Sequence, residues 1–372
     1  MRNILVTGAE GFIGKNLCVR LKEIGNLNIF KSDINTSERE LRKYLNSADF
    51  IFHLAGVNRP ENVNEFQKVN TGLTTSICDY LISLKKKTSI ILSSSTQAEL
   101  DNPYGISKRE AENYVLNYSK ITGAKVAIYR LPNVFGKWSR PNYNSVVATF
   151  CYNIANDIPI KINDPNSQIS LVYIDDIVNS FISHLKIEID RDYYNVTPVF
   201  SITVGELASI VQSFKNKRKE LQVNDLSNQL NRYLYATYLS FLDKNDFKYN
   251  AVSRGDNRGN LCELFKFPLG DQIFISTTKP GIIRGNHYHH TKTEKFCVIS
   301  GSAIIRFRKI GDKEIIEYPA NGNDIIIVDI PPGYTHSIEN VGKDDMICLF
   351  WANELFNPEK PDTYYEEVIL RN

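Results

Sequence analysis

The chain has 372 residues, of which 42% are hydrophobic and 23% charged, and carries a net charge of +2. That length suits two domains, and a nearly balanced charge supplies no global field to hold nucleic acid or a membrane surface. The six cysteines are scattered with no CxxC pair, no apolar run has the length of a membrane span, and no signal-like segment precedes the first strand, so a reduced, cytoplasmic protein is expected.

Taken in order, the first half alternates short β-rich runs with helical patterns, the mark of a parallel sheet covered by helices. Residues 3–8 (NILVTG), 28–33, 50–56, 89–96 and 125–132 read as strands, and 12–25 and 103–123 as helices, the latter ending at Gly123. Residues 201–220 read as one more helix, and the polar, tyrosine-rich stretch 221–250 as a helical connector. From about residue 250 short strands punctuated by glycine and proline predict an antiparallel barrel or jelly roll. The predicted division is an α/β Rossmann-type domain over 1–245 and an all-β domain over 246–372.

Gly8, Gly11 and Gly14 follow the first strand and open the first helix. Gly8 permits the tight turn, Gly11 lets the backbone approach a pyrophosphate, and Gly14 lets helix and strand pack closely. A glycine triplet alone is weak, but its strand–turn–helix setting favours a dinucleotide site. Asp33 stands where a carboxylate would bind a ribose 2′-hydroxyl and select NAD, whereas Lys31, Ser32 and Arg39 could instead hold the 2′-phosphate of NADP. Spacing leaves both open.

In SSSTQAELDNPYGISK (93–108), Tyr104 and Lys108 are four residues apart, on one face of a helix. An unperturbed tyrosine is a poor acid at neutral pH. A lysine ammonium beside it is expected to lower its pKa and suit it to proton transfer, with a hydroxyl from the serine run polarising a carbonyl. The bland alternative, a surface helix, leaves the serine run and the glycine turn unexplained.

In GIIRGNHYHHTKTEKF (281–296), His287 and His289 alternate along a predicted strand and so face one side, with His290 on the other. Glu294 follows a short turn, and His336 comes later in PPGYTHSIEN (331–340). Three imidazoles and a carboxylate suit zinc or another divalent transition ion. A polar surface hairpin with spare histidines is the competing account.

Residues 1–240 resemble the extended short-chain dehydrogenase/reductases that act on nucleotide sugars, through TGAEGFIG, HLAG (53–56), SSS (93–95), YGISK (104–108), RLPNVFG (130–136) and LVYIDDIV (171–178). The resemblance implies a catalytic Ser95, Tyr104 and Lys108 and a cofactor site at Gly8, Gly11, Phe12, Ile13, Gly14, Asp33, Leu54, Ala55 and Lys108. It implies sugar-nucleotide contacts at Asn58, Arg59, Ser94 and Asn133, places His53 near the cofactor, and makes Asp175 and Asp176 mainly structural. The gap between the serines and Tyr104 is shorter than in that family, which implies a trimmed loop over the sugar.

Residues 250–360 resemble the cupin superfamily. Gly281, His287, His289, Glu294 and Gly301 match its first motif, while Pro331, Gly333, His336 and Asn340 match the second, which lacks its earlier glycine. The whole chain, with HLAGVNRPE, GNHYHHTK and PDTYYE, resembles the bifunctional enzymes of capsule and O-antigen synthesis that lead toward UDP-N-acetyl-L-fucosamine. In that family the cupin epimerises C3 of UDP-2-acetamido-2,6-dideoxy-β-L-arabino-hex-4-ulose, and NADPH then reduces C4 to give UDP-2-acetamido-2,6-dideoxy-L-talose. The resemblance implies NADPH, a UDP-linked 4-keto-6-deoxy amino sugar as substrate, and a homodimer. Acid–base groups of the epimerase step are not legible; Tyr288, His290, Lys295 and Tyr334 are candidates by proximity to the ligand motifs. A plain reductase with a structural or dimerising cupin, a nucleotide sensor and a cupin dioxygenase remain rival readings.

Overall fold

The computed structural model describes residues 1–370. They form two compact units, residues 1–212 with 228–244, and residues 213–227 with 245 onward. The strands of the first unit are β1 (Arg2–Thr7), β2 (Leu27–Ser32), β3 (Phe50–His53), β4 (Ser89–Ser95), β5 (Val126–Leu131), β6 (Asn133–Phe135), β7 (Gln168–Tyr173), β8 (Tyr193–Tyr194) and β9 (Phe200–Thr203). The helices are α1 (Phe12–Ile24), α2 (Glu38–Ser47), α3 (Leu73–Ser83), α4 (Pro103–Thr122), α5 (Val146–Ala155), α6 (Ile174–Ser183), α7 (Val204–Lys219), whose residues from 213 on belong to the second unit, and α8 (Gln229–Leu239).

The main sheet has the order β2-β1-β3-β4-β5-β8, with every pair parallel. Ile4, Leu5 and Val6 are fully buried in succession, as strands covered on both faces require. Leu5, Ile51 and Ile90 pack with Leu45, Ile77 and Val115 of the helices. Strand order reverses between β1 and β3, and in such sheets the crevice at that reversal, beyond the carboxyl ends of the strands, receives the ligand.

Helix α4 begins and ends where its sequence signals stand. The Asn102 side chain accepts the Gly105 amide at 2.8 Å, Pro103 occupies the first turn, and Gly123 leaves the helix at φ +72°. The single helix expected over 201–220 is instead strand β9 followed by α7. Phe200–Thr203 pairs antiparallel with β7 in a small β6-β7-β9 sheet. A capping box then starts the helix: Thr203 Oγ1 accepts from the Glu206 amide at 3.1 Å, and Glu206 accepts from the Thr203 amide at 2.9 Å. In the expected connector only α8 and a short 3-10 turn at Lys244–Asp246 are helical.

The second unit holds β10 (Val252–Asp256), β11 (Gly259–Lys266), β12 (Gln272–Thr278), β13 (Ile283–Tyr288), β14 (Glu294–Ser300), β15 (Ser302–Lys309), β16 (Ile315–Asn321), β17 (Val328–Ile330), β18 (Tyr334–Asn340), β19 (Met346–Ala352) and β20 (Tyr364–Tyr365). Two antiparallel sheets, β10-β11-β12-β19-β14-β17 and β16-β15-β18-β13-β20, share one core in which Phe296 and Val298 pack with Ile305, Phe307 and Ile338. Among the described residues no helix is long and apolar enough to cross a membrane.

Candidate functional site

A cavity of about 810 Å³ opens in the first unit at the carboxyl ends of β1, β3, β4 and β5. Its floor is the glycine turn. Gly8 sits at φ +67°, and a Cβ there would lie 2.8 Å from the Ala55 backbone, so only glycine lets the loops after β1 and β3 close on each other. A Cβ on Gly14 would stand 2.1 Å from the Gly8 carbonyl, which is why α1 approaches its own strand so tightly. Gly11, Phe12, Ile13 and Leu54 line the same cavity. Exposed amides at the start of α1 and the helix dipole make this a place for a pyrophosphate.

Ser95, Tyr104 and Lys108 line the same cavity. Gly105 makes this possible, because a Cβ there would fall 2.2 Å from the Gln97 carbonyl and force α4 off the turn that follows β4. The Ser95 hydroxyl hydrogen-bonds Tyr104, while burial pushes the Tyr104 phenol up and that hydrogen bond draws it down. The Lys108 ammonium donates to the Ser93 carbonyl at 2.6 Å, and burial pulls its own pKa down to about 8 against the pull of Glu112.

Of the expected sugar-nucleotide residues, Asn58, Ser94 and Asn133 line the cavity. The Ser94 hydroxyl donates to Glu112, and the Asn133 amide donates to the Ser170 carbonyl at 3.1 Å. Arg59 binds the Tyr143 carbonyl, joining two loops at the rim. Asp33 lies at the end of β2 with its carboxylate accepting the amides of Glu10 at 2.7 Å and Ile34 at 2.8 Å, so it shapes the glycine turn. His53 is buried between Thr7 (2.7 Å) and Thr74 (2.8 Å), and burial lowers its pKa to about 3, leaving a neutral packing residue. Asp175 pairs with Lys137 at 2.8 Å, and Asp176 accepts the Tyr233 hydroxyl at 3.2 Å.

Sequence reasoning missed two supporting residues. Asn70 clamps the loop after β3, accepting the Val57 amide at 2.8 Å and donating to Ser107 on α4 at 3.0 Å. Glu112, 1% exposed, receives Arg130 through Nε at 3.0 Å and Nη2 at 2.7 Å as well as the Ser94 hydroxyl. Glu112 continues the Tyr104–Lys108 stripe by four residues, a periodicity that was available in the sequence.

In the second unit, ligand atoms of His287, His289, Glu294 and His336 lie within 4.8 Å of one another. His287 and His336 face each other across the β13–β18 pair, and Glu294 opens β14 in the other sheet. His289 stands just past the end of β13, yet its ring centroid is 4.9 Å from that of His287. The Nε2 atoms of His289 and His336 are buried with no hydrogen-bond partner. Burying such lone pairs costs stability unless something binds them. Burial alone would raise the Glu294 carboxyl, but His289, His336 and Lys292 hold it well below the usual range. Burial and the neighbouring imidazoles lower His287 to about 4. Three imidazoles and a carboxylate gathered around buried nitrogens that lack partners are the donor set that a divalent transition ion takes, and the cluster fits one.

Of the four residues considered for proton transfer here, Tyr288 and His290 pack on Tyr364, with ring centroids 5.3 and 4.7 Å from it. Lys295 pairs with Asp329. Tyr334 precedes His336 by two residues on β18, so it shares the ligand-bearing face, and it packs against the core.

Residues 4–196 match the model of the NAD dependent epimerase/dehydratase family, and residues 254–364 that of the polysaccharide biosynthesis C-terminal domain. The chain is 47% identical to the UDP-2-acetamido-2,6-beta-L-arabino-hexul-4-ose reductase of Pseudomonas aeruginosa, over 97% of each chain. The crystal structure of the capsular polysaccharide assembling protein CapF from Staphylococcus aureus superposes with a TM-score of 0.93 at 46% identity, covering 98% of this chain and 100% of that one. The UDP-glucuronic acid 4-epimerase of Bacillus cereus, solved with NAD, is 19% identical, covers 64% of this chain and 96% of its own, and shares the fold alone at a TM-score of 0.56. A glycine turn at the strand reversal, a Ser–Tyr–Lys constellation above it and a relative alike over nearly the whole length agree: the chain belongs to the NAD dependent epimerase/dehydratase family, with a polysaccharide biosynthesis C-terminal domain following it.

Proposed function

We propose that the protein is a bifunctional nucleotide-sugar enzyme. Its second unit, read as a cupin over 246–372, epimerises C3 of UDP-2-acetamido-2,6-dideoxy-β-L-arabino-hex-4-ulose. Its first unit, read as the reductase over 1–245, then reduces C4 with NADPH to UDP-2-acetamido-2,6-dideoxy-L-talose. One observation carries the reading: a complete Ser95–Tyr104–Lys108 cleft and a complete three-histidine, one-glutamate cluster occur in one chain. Reduction needs only the first. The 4-ulose substrate is that of the Pseudomonas aeruginosa relative.

The chemistry fixes an order. A C3 proton is acidic while C4 is a ketone, so it can leave one face and return to the other. Once C4 is an alcohol that acidity is gone, and epimerisation must come first. A divalent ion held by His287, His289, Glu294 and His336, which we take to be zinc, would supply Lewis-acid stabilisation of charge on the ketone oxygen. At C4, Ser95 and Tyr104 would polarise the carbonyl, and Tyr104 would protonate the oxygen as the nicotinamide's hydride arrives. Lys108 would hold positive charge beneath the site. A cytoplasmic homodimer acting on soluble nucleotide sugars completes the proposal.

A second reading, a reductase whose β unit is only structural or dimerising, has in its favour that the relative is named for reduction alone. Reaction in heavy water separates the two. His287→Ala should stop deuterium entering C3 yet still reduce a substrate already epimerised there. Tyr104→Phe should exchange C3 while NADPH oxidation falls on the order of a hundredfold or more. Wild-type exchange at C3 in His287→Ala would favour the plain reductase.

A further inference from the structure

The chain ends in a segment that touches the surroundings of all three cluster histidines. Residues 362–368 run past β13 and β18, and β20 pairs Tyr365 with His287 and Tyr364 with Tyr288. The Asp362 carbonyl accepts from His289 Nδ1 at 2.6 Å. Because a carbonyl only accepts, Nδ1 carries a ring proton, and Nε2 is the nitrogen turned toward the cluster, 3.5 Å from Glu294 Oε2. Farther along, the Glu366 amide donates to the Asn286 carbonyl at 2.9 Å and the Val368 amide to Asn286 Oδ1 at 3.2 Å. Asn286 immediately precedes His287. Thr335, which immediately precedes His336, donates its hydroxyl to the Glu366 carbonyl.

Two charged side chains hold this segment in place. The Asp362 carboxylate gathers the turn after His289: Oδ1 accepts the His290 amide at 3.1 Å, and Oδ2 accepts the amides of Thr291 at 2.9 Å and Lys292 at 2.8 Å and the Thr291 hydroxyl at 3.0 Å. To do so Asp362 sits at φ +38°, a conformation that non-glycine residues rarely adopt and that must be held by its surroundings. Arg308, 3% exposed, grips the far end through the Glu366 carboxylate at 2.6 Å and the carbonyls of Glu367 at 2.8 Å and Val368 at 3.0 Å. A segment that served only to cover the sheet would not need a buried guanidinium at one end and a four-donor carboxylate at the other.

We propose that the segment 362–368 is a positioning strap for the metal centre, with Asp362 setting the tautomer and aim of His289. This rests on reading the four-residue cluster as a metal site. The carboxylate acts by holding the 290–292 turn, and thereby His289, in register with the carbonyl of the same residue. A group that orients a histidine ligand through its second nitrogen is commonly worth 10- to 100-fold in metal affinity.

The test uses full-length protein stripped of metal and titrated with cobalt(II) and with zinc(II) against a chelator of known affinity, with the visible spectrum of the cobalt form as a second readout. Asp362→Gly keeps the carbonyl and relieves the φ but loses the carboxylate. It should weaken both metals on the order of 10- to 100-fold and change the cobalt spectrum. Asp362→Asn can still accept the Thr291 and Lys292 amides through one oxygen, so it should lose less. Asp329→Ala, which removes a surface partner of Lys295 in the same unit, should bind as the wild type does. Thermal melts of the metal-free variants show which of them are folded, and Asp362→Asn is the variant read if Asp362→Gly is not. Wild-type affinity and spectrum in the folded Asp362 variants would overturn the strap. Failure of the wild-type protein to bind either metal would instead overturn the metal-site reading on which it rests.

Discussion

Lys108 should make the folded protein less stable, and the structure gives the size of the effect. The residue is 7% exposed, and burial brings its pKa down from 10.5 to about 8. At about 1.4 kcal/mol per pKa unit, folding at pH 7 with the charge in place costs roughly 3 kcal/mol relative to the unfolded chain. Lys108→Met keeps the length of the side chain and removes the charge. It also strips the Ser93 carbonyl of its donor at 2.6 Å, a loss of about 1 kcal/mol or more. The net expectation is a gain of about 1–2 kcal/mol, or a melting temperature higher by roughly 2–8 °C for a unit of this size. The sign with pH is fixed by linkage. The folded pKa is depressed, so the penalty is complete below pH 8 and fades as pH rises toward the unfolded value of 10.5. Calorimetry without cofactor should therefore show the variant melting above the wild type at pH 7, and the gap narrowing by pH 9.5. Reduction should fall on the order of a hundredfold or more in the same variant. A variant that melts below the wild type at pH 7, or a gap that ignores pH, would refute the argument.

Two further outcomes are expected in the cofactor cleft. Gly14→Ala drives a Cβ to 2.1 Å from the Gly8 carbonyl, so NADPH affinity measured by fluorescence titration should fall at least about tenfold while cobalt binding in the other unit is unchanged. Replacing Lys31 and Arg39 together with alanine should weaken NADPH on the order of tenfold and leave NADH nearly unaffected, since the 2′-phosphate alone distinguishes them; equal losses for both cofactors would count against NADPH selectivity.

What the sequence made legible is what depends on neighbours in the chain. The glycine turn is readable because Gly11 and Gly14 both close on the Gly8 carbonyl within it, although the contact of Gly8 with Ala55 is not, and α4 is readable because Asn102, Pro103 and Gly123 mark its ends. The capping box at Thr203 and Glu206 was equally local, but the amphipathic pattern downstream masked it and absorbed β9 into a helix. The small β6-β7-β9 sheet was illegible for a different reason: Asn133 pairs with Leu171, and Gln168 with Thr203, so no segment contains its own partner.

The same distinction explains the sites. Four-residue spacing puts Tyr104 and Lys108 on one face, but it cannot say that the Ser93 carbonyl on β4 accepts from the ammonium. Motif spacing likewise brings out His287, His289, Glu294 and His336, because two short runs carry all four. It is silent on what aims them. The partner of His289 lies 73 residues away, at Asp362, and the buried Arg308 that secures the end of that segment is 58 residues from Glu366. Proximity to a motif is likewise silent on packing: Tyr288 and His290 adjoin the ligands of the first motif and pack on Tyr364, whereas Tyr334, as close to His336 in the second, shares a strand face with it. Two short runs of sequence carry the ligand set, yet His287, Glu294 and His336 stand on three strands in two sheets. The segment 362–368 joins the same sheet as β13 and β18 through β20, so its bearing on the ligands depends on pairing between distant stretches of chain and not on spacing within either run.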